Sequence, residues 1–207
     1  MFKFKASDLP EILTRWSARY TVFVPSGSPD NVQMRIWSRR TRKEARFMEP
    51  DEYTNLSVAP KGFVFGEREE LFRWEGSEKT CTAVSAPSSS SLQEEDKILF
   101  GLRPCDTYGL AYMDRFFLGE HHDINYHLRR QHVFIVAVNC LNAGPECYCA
   151  SMGTGPFAEI IAHTEYGMQA GKGYDLLLTP DYGPGHKKGE KGENDWYWVE
   201  AGSDRGK

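Results

Sequence analysis

The sequence predicts an α/β fold in which helices flank a mixed, partly parallel sheet. Residues 97–101 and 133–138 form two apolar strand patterns, and helical patterns fill the interval between them. Two strands joined by helices are parallel, with a right-handed crossover, by default. The second strand is apolar throughout, as expected in a sheet that is covered on both faces. Further strand patterns before and after this unit make the predicted sheet mixed.

The chain is long enough to bury one substantial core. It has 207 residues, of which 40% are apolar, and this composition is typical of a globular protein. We expect a single α/β domain over residues 1–207, with a possible division into an N-terminal part at 1–87 and a cysteine-containing part at 95–207. The Ser-rich stretch from Ser85 to Ser91 would then be an exposed loop.

The N-terminal part is expected to begin with a helix. Ser7 or Asp8 can cap it, and Pro10 suits its first turn. Apolar residues follow at helical spacing, which predicts one buried face. They are Leu9, Ile12, Leu13 and Trp16.

Strands are expected to follow this helix. Residues 20–24 predict a strand that the Pro, Ser and Gly residues at 25–29 should stop. Residues 32–37 alternate between apolar and polar, which predicts a half-exposed strand. We also expect an extended segment at 63–65 and a short helix at 67–74.

The second half contains the predicted strand–helix–strand unit. Asp106 can cap the helix that follows the strand at 97–101, and Asp123 can cap a further helix. Two later strands are expected at 174–179 and 196–199. The helix that Asp106 can cap is expected to have one buried face, formed by Leu110, Met113, Phe116 and Phe117.

Charge and hydropathy exclude several classes of function. The net charge is −4 and no long run of Lys and Arg is present, so we expect no nucleic-acid partner. No apolar run approaches the ~18 residues of a membrane span, and residues 1–8 lack the apolar core of a signal peptide. We therefore expect a cytoplasmic protein with no direct membrane insertion. No arrangement of Ser, His and Asp or of paired carboxylates indicates catalysis, so no catalytic residue is assigned.

Two cysteines follow the carboxyl ends of predicted parallel strands. They are Cys105 and Cys140, and because parallel strands end at the same edge of a sheet, the two thiols can converge there. Cys147 and Cys149 come shortly afterwards, beyond a tight turn at 139–146. The sequence therefore predicts a Cys-rich loop site at one sheet edge.

The fifth cysteine, Cys81, has a different setting. It lies in a predicted strand with Val84, which indicates a small core residue. In a reducing cytoplasm the cysteines are expected to be ligands, reactive thiols or core residues rather than disulfides.

The cysteine spacing alone leaves the role of the site open. Structural zinc sites usually contain two Cys-x₂₋₄-Cys knuckles, and bacterial ferredoxins contain a Cys-x₂-Cys-x₂-Cys run. A lone cysteine followed by Cys-x₆-Cys-x-Cys matches neither pattern. Zinc, an iron–sulfur cluster and metal-free thiols all remain possible on this basis. If a cluster is present, Arg103 or Arg130 could supply a cation that favours its reduced form; an ordinary salt bridge is the alternative role for either residue.

A Gly-rich segment after the last cysteine resembles a nucleotide-binding pattern. Residues 153–158 fit G-x-G-x-x-A, but such a site needs a strand directly before it, and residues 147–149 precede it instead. We interpret the segment as a turn beside the cysteine site that opens a helix containing Ile160 and Ile161.

Several blocks of sequence, in the same order, resemble one family. They are ILFGLRPCD at 98–106, DRFF at 114–117, NC at 139–140, CYCASMGTGP at 147–156 and GYDLLLT at 173–179. The chain resembles the family of the anaerobic sulfite reductase A subunit and the beta subunit of soluble nickel–iron sulfhydrogenases. The resemblance covers about residues 95–207 well and the first half weakly.

This resemblance implies an electron-transfer role. It implies one 4Fe–4S cluster and a non-catalytic subunit that relays electrons between a flavin/NAD(P)H subunit and a catalytic subunit of an anaerobic oxidoreductase complex. The implied partners are flavin/NAD(P)H-binding, ferredoxin-like and catalytic subunits. The cluster ligands implied by the family are Cys105, Cys140, Cys147 and Cys149.

The chain also departs from the family, and alternatives follow. Family members usually continue into a ferredoxin domain with two further clusters, but this chain contains no Cys-x₂-Cys run. We therefore expect no long series of clusters within it. The alternative is a structural zinc-binding scaffold module of a complex, and a third possibility is a flavin- or nucleotide-binding enzyme subunit.

Overall fold

The structure is a computed structural model of the chain. It describes residues 2–38, 47–66, 73–77, 80–85, 95–120, 122–158, 173–190 and 192–207.

Seven of the nine strands in the described residues form one mixed sheet. Its spatial order is β1-β9-β8-β7-β6-β2-β3, and β4 and β5 form a separate antiparallel pair. The central strands β2, β6, β7 and β8 are parallel, whereas the outer strands pair antiparallel. The strands are β1 (Phe2–Lys5), β2 (Thr21–Ser28), β3 (Asn31–Ile36), β4 (Arg73–Ser77), β5 (Thr80–Ser85), β6 (Lys97–Leu102), β7 (Val133–Val138), β8 (Leu176–Asp181) and β9 (Trp196–Ala201).

Helices cover both faces of this sheet. Within the described residues they are α1 (Leu9–Trp16), α2 (Pro104–Phe117), α3 (Ile124–Gln131) and the single turn α4 (Cys149–Met152). None of them is long and apolar enough to cross a membrane. The predicted α/β class with a mixed, partly parallel sheet is confirmed, and β6, α2, α3 and β7 form the predicted parallel unit.

A hydrophobic core lies on each face of the sheet. On one face Leu9 of α1 packs in the same buried cluster as Val136 of β7. On the other face Leu110 of α2 and Tyr126 of α3 share a buried cluster with Ile135. Neighbouring residues of a strand point to opposite faces, so β7 must be apolar at every position to contribute to both cores.

The strand β2 is longer than predicted. It continues through Pro25 to Ser28 instead of stopping at the Pro- and Gly-containing segment. It pairs with β6 only as far as Phe23, so Pro25 has a strand neighbour on one side only. Strand prolines are tolerated at such edge positions because no bond is lost on the open side.

Residues 63–65 are not extended, contrary to the prediction. A 3₁₀ helix at Pro60–Phe63 contains the first of them, and the Val64 N–H donates to the carbonyl of Lys61. The prediction of a short helix at 67–74 is wrong for its last two residues, because Arg73 and Trp74 belong to β4. Residues 67–72 lie outside the described part of the chain.

The start of α2 differs from the prediction. Pro104 is its first residue and Arg103 is its N-cap, so Asp106 is the third helical residue. The Asp106 carboxylate accepts a hydrogen bond from the Arg103 N–H at 3.3 Å, which is a capping box rather than an N-cap. Asp123 caps α3 as predicted, since its carboxylate accepts the Tyr126 N–H at 2.8 Å.

The buried stripe of α2 was predicted correctly except for Phe116. Leu110 is buried, and Met113 and Phe117 pack against the same core. Phe116 is 67% exposed. Positions i, i+3 and i+7 of a helix share a face, whereas i+6 does not, so Phe116 points away from the core.

Candidate functional site

The four cysteines after residue 100 line one cleft at the carboxyl edge of the parallel strands. β6 ends at Leu102 and β7 ends at Val138, and the cysteines lie just beyond these strand ends. The cleft has a volume of about 290 Å³. Its lining includes Cys105, Cys140, Cys147 and Cys149.

Each of these cysteines lies on a different local element. Cys105 is in the first turn of α2, and Cys140 follows β7 by two residues. Cys147 ends a tight turn in which its N–H donates to the Gly144 carbonyl at 3.1 Å. Cys149 is the first residue of α4. The fold therefore delivers thiols to the cleft from both strand ends and from the loop between β7 and β8.

Four of the residues that line the cleft are cysteines, so its metal donor set is made of thiols. Across the described ranges, no three or more His, Cys, Asp and Glu side chains are grouped closely enough to hold a metal ion. Tetrahedral zinc places each sulfur about 2.3 Å from the metal, so its ligands must nearly touch one another. In a cluster each thiolate binds its own iron atom, so the ligands stand further apart around a larger group. Four thiolates are a ligand set that iron–sulfur clusters use, and zinc can also take it.

One backbone N–H points at a cysteine sulfur. The Gly144 N–H donates to the Cys147 Sγ at 3.3 Å, and hydrogen bonds to cysteine sulfur are one way in which a protein sets the potential of a cluster. The Cys140 thiol instead donates to the Asn142 carbonyl, also at 3.3 Å. A cysteine that binds metal loses its proton, so Cys140 would give up this bond on binding.

The Gly-rich segment after α4 approaches the Cys149 sulfur. A Cβ atom on Gly155 would lie 3.0 Å from the Cys149 Sγ and 3.8 Å from the Pro104 Cβ. Glycine at this position therefore lets the loop pack against both α2 and the thiol. The N–H groups of Gly153 and Thr154 donate to the carbonyls of Ala150 and Cys149, so they do not bond to sulfur. Helix α4, not a strand, precedes this segment, which agrees with its interpretation as a turn.

Burial disfavours ionisation of the Cys105 thiol. Desolvation, followed by the neighbouring Asp106 carboxylate and the Cys149 sulfur, raises the pKa of the Cys105 thiol to about 12. Burial also raises the pKa of the Asp106 carboxyl to about 6. Cys105 is therefore protonated at neutral pH, and a bound metal would have to displace that proton.

Apolar side chains that neighbour the cysteines in sequence are exposed to solvent. Tyr148 is 70% exposed, Met152 is 65% exposed and Leu141 is 44% exposed. Tyr148 itself lines the cleft.

A buried arginine forms the inner wall of the cleft. Arg103 is only 2% exposed and lines the cleft beside Cys105. Its Nε donates to the Thr54 carbonyl at 3.1 Å and its Nη1 donates to the Asn139 carbonyl at 3.4 Å. Its guanidinium also lies 4.1 Å from the centre of the Tyr53 ring. The sequence indicates Arg103 only as a cation, and it carries no signal for the contacts with the segment at 50–55.

Asn139 ties the strand ends together. Its Nδ2 donates to the Thr179 Oγ1 at 2.8 Å, and its Oδ1 accepts the Ala158 N–H at 2.9 Å. It thus connects the end of β7 with β8 and with the loop that follows the cysteines. A polar residue at the end of an apolar strand, directly before Cys140, is the signal that could have identified it.

Two other residues lie apart from this arrangement. Arg130 pairs with Asp114 at 3.0 Å, between α3 and α2, and does not line the cleft. Cys81 lies in β5, as its predicted strand requires, with its backbone opposite Gly76 in the two-stranded sheet. The expected helix containing Ile160 and Ile161 falls on residues 159–172, which lie outside the described part of the chain.

Comparison with known proteins gives one partial match. The chain is similar to a sulfhydrogenase subunit. Over 103 residues it is 30% identical to sulfhydrogenase 2 subunit beta of Pyrococcus furiosus, and the match covers 50% of this chain and 28% of the relative. The chain therefore spans well under half the length of this relative. No protein-family model matches the chain, and no solved structure matches it significantly.

The match supports one of the two family relations that the sequence suggested. It supports a relation to sulfhydrogenase beta subunits, and it carries no support for the anaerobic sulfite reductase relation.

Proposed function

We propose that this chain binds one 4Fe–4S cluster through Cys105, Cys140, Cys147 and Cys149 and transfers electrons within a multi-subunit oxidoreductase. The observation that carries the proposal is the single cleft that all four cysteines line at the carboxyl edge of the sheet. Ligand sites of open α/β sheets form at this edge. The chain itself would perform no bond chemistry.

Thiolates are the ligands that iron–sulfur clusters use. When bound, the cluster would accept and release one electron at a time. The residues around it would control burial and hydrogen bonding, which together set the reduction potential. The Gly144 N–H, which already donates to the Cys147 Sγ, is one such group.

Partner subunits follow from the relative and from the surface. The relative is named as a subunit of a sulfhydrogenase. We propose that this chain likewise relays electrons between a flavin/NAD(P)H subunit and a catalytic subunit, with ferredoxin-like subunits as further partners. Tyr148, which lines the cleft, and Met152, four residues later, are both exposed. They suit a docking face, because interface cores are enriched in aromatic residues and methionine. A partner on that face would bring its own cofactor near the cluster.

A zinc-binding scaffold is the second candidate. Four cysteines can also hold zinc, so the cleft that supports a cluster supports this candidate as well. Anaerobic incubation of the apo protein with iron and sulfide, and of a second sample with zinc, tests both candidates. We expect a brown protein whose visible absorption is bleached by dithionite. A colourless protein that takes up one zinc ion, and no iron, would support the scaffold instead.

A further inference from the structure

We propose that Arg103 is the positioning residue of the cysteine site, and that its buried charge raises the reduction potential of the bound cluster. This inference rests on the proposed function, because it assumes that the cleft holds a cluster. It assigns a role to a residue that is not a ligand.

The first observation is the set of backbone groups that Arg103 holds. Its three guanidinium nitrogens donate to carbonyl oxygens of Pro50, Thr54 and Asn139, which belong to two segments far apart in sequence. The Arg103 ring contact with Tyr53 fixes the guanidinium plane. A planar fork with five N–H donors can serve several carbonyls at once, whereas a lysine ammonium has three donors at one point.

The second observation is where those segments lead. Asn139 directly precedes Cys140, and Arg103 itself precedes Cys105 by two residues. Thr54 abuts the third cysteine segment, because a Cβ on Gly144 would lie 3.3 Å from the Thr54 Cγ2 and 3.7 Å from the Cys147 Sγ. A single side chain thus holds the backbone that positions three of the four cysteines.

The third observation is the charge balance of the inner wall. The side-chain contacts of Arg103 described above are to neutral carbonyls and an aromatic ring. The Asp106 carboxylate contacts the Arg103 backbone N–H and not its guanidinium in the hydrogen bond described above. Arg103 is 2% exposed, so water screens its charge poorly. A cluster becomes more negative on reduction, and a buried cation in the same cleft wall stabilises that state. Replacing Arg103 with a neutral residue should therefore lower the potential.

Position and charge can be separated by two substitutions. Arg103→Lys keeps the positive charge but removes the planar guanidinium donors, and Arg103→Met removes both the charge and the donors. Arg130→Met is the matched control, because Arg130 is also largely buried and hydrogen-bonded but pairs with Asp114 away from the cleft. The full chain is reconstituted anaerobically in each case. Iron content, the rate of iron loss to a chelator and the midpoint potential are then measured.

We expect Arg103→Lys to lose iron to the chelator at least several times faster than the wild type. Its midpoint potential should stay close to the wild-type value. We expect Arg103→Met to lose iron at least as fast and, where cluster remains, to show a lower potential than Arg103→Lys. Arg130→Met should match the wild type in both properties. If Arg103→Met does not fold, Arg103→Lys still tests the positioning role.

A second readout does not need the cluster. In the apo protein, the rate at which the Cys105 thiol is alkylated should rise in both Arg103 variants and stay unchanged in Arg130→Met. Wild-type protein that holds a cluster, together with Arg103 variants that match Arg130→Met in every measurement, would overturn this inference and leave the proposed function intact. Wild-type protein that binds no iron would overturn both.

Discussion

The Arg103 guanidinium donates a hydrogen bond at 3.4 Å to the carbonyl of Asn139, the residue before Cys140. This contact joins the ends of the two parallel strands β6 and β7 directly behind the cysteine cleft. The strand ends therefore carry more than the cysteines: they carry the polar groups that hold the cysteine segments at fixed positions relative to one another.

The close approach of Gly155 to Cys149 gives a prediction about loading of the site. Gly155→Ala would place a methyl group 3.0 Å from the Cys149 Sγ, so either the sulfur or the loop must move. We expect a marked loss of bound iron after reconstitution, measured by iron analysis. Gly109→Ala is the control, because a Cβ there has nothing within 4 Å and alanine favours the helix by roughly 0.5–1 kcal/mol. Equal iron content in the two variants would contradict the prediction.

The ion pair between α2 and α3 should contribute to stability independently of the cleft. Asp114 accepts hydrogen bonds from Arg130 at 3.0 Å and from the Tyr126 hydroxyl at 2.7 Å, and both of its partners are largely buried. Asp114→Ala would leave a shielded charge and a hydroxyl without an acceptor, which costs about 2–4 kcal/mol. Urea denaturation would measure the free energy of unfolding.

The exposed pair of Glu11 and Arg15 supplies the control for that experiment. Its atoms are 2.6 Å apart, but the side chains are 78% and 66% exposed for Arg15 and Glu11 respectively. Glu11→Ala should cost under about 1 kcal/mol. If both substitutions cost the same, the buried network does not stabilise the packing of the two helices as we describe.

A histidine between two carboxylates predicts a pH dependence of stability. His186 contacts Asp195 at 2.7 Å and Asp51 at 3.1 Å, which ties the loop before β9 to the segment at 50–55. Burial lowers the pKa of His186, but hydrogen bonds to the two carboxylates outweigh it and raise that pKa above 6.5. Burial also opposes ionisation of Asp195, but the N–H groups of Gly192 and Gly183 and the His186 side chain hold the Asp195 pKa below its usual value.

The two shifts act at opposite ends of the pH range. The stabilisation from His186 is complete below about pH 6.5 and is lost as the pH rises through its raised pKa. The stabilisation from Asp195 is present above about pH 4 and is lost as the pH falls through its lowered pKa. We therefore expect the melting temperature to be highest near pH 5–6 and to fall towards pH 9. In His186→Gln the alkaline fall should be smaller than in the wild type, and an identical alkaline fall would contradict this assignment.

Local pattern predicted much of the fold because the relevant interactions are short in range. The apolar run at 133–138 and the cap at Asp123 depend on neighbours within a few residues, and both predictions are confirmed. The contacts of Arg103 with Thr54 and Asn139 join residues that are 49 and 36 positions apart. The hydrophobic periodicity of the sequence does not predict such contacts, because it depends only on residues that are close along the chain.

The candidate site could be predicted in part for the same reason. The convergence of Cys105 and Cys140 follows from strand direction, and the structure places both in one cleft. The orientation of Tyr148 could not be predicted, because a loop has no hydrophobic period that assigns its side chains to core or solvent. It is exposed at the mouth of the cleft, not buried behind it.

That exposure gives a prediction about partner binding. Tyr148→Ser combined with Met152→Ser removes apolar surface that is already in water, so stability should change by at most about 0.5 kcal/mol. We expect weaker association with partner redox subunits and slower electron transfer, measured on the reconstituted complex. Phe2→Ser is the control, because Phe2 is 82% exposed on the edge strand β1. Loss of association in Phe2→Ser alone would place the docking face elsewhere.

The central claim is that four particular cysteines bind one cluster, and iron and sulfide analysis of single Cys→Ser variants tests it most directly. We expect about four iron atoms per wild-type chain after anaerobic reconstitution. Each substitution at Cys105, Cys140, Cys147 or Cys149 should remove most of this iron, whereas Cys81→Ser should retain it. Full iron content in Cys105→Ser together with an empty Cys81→Ser protein would contradict the account.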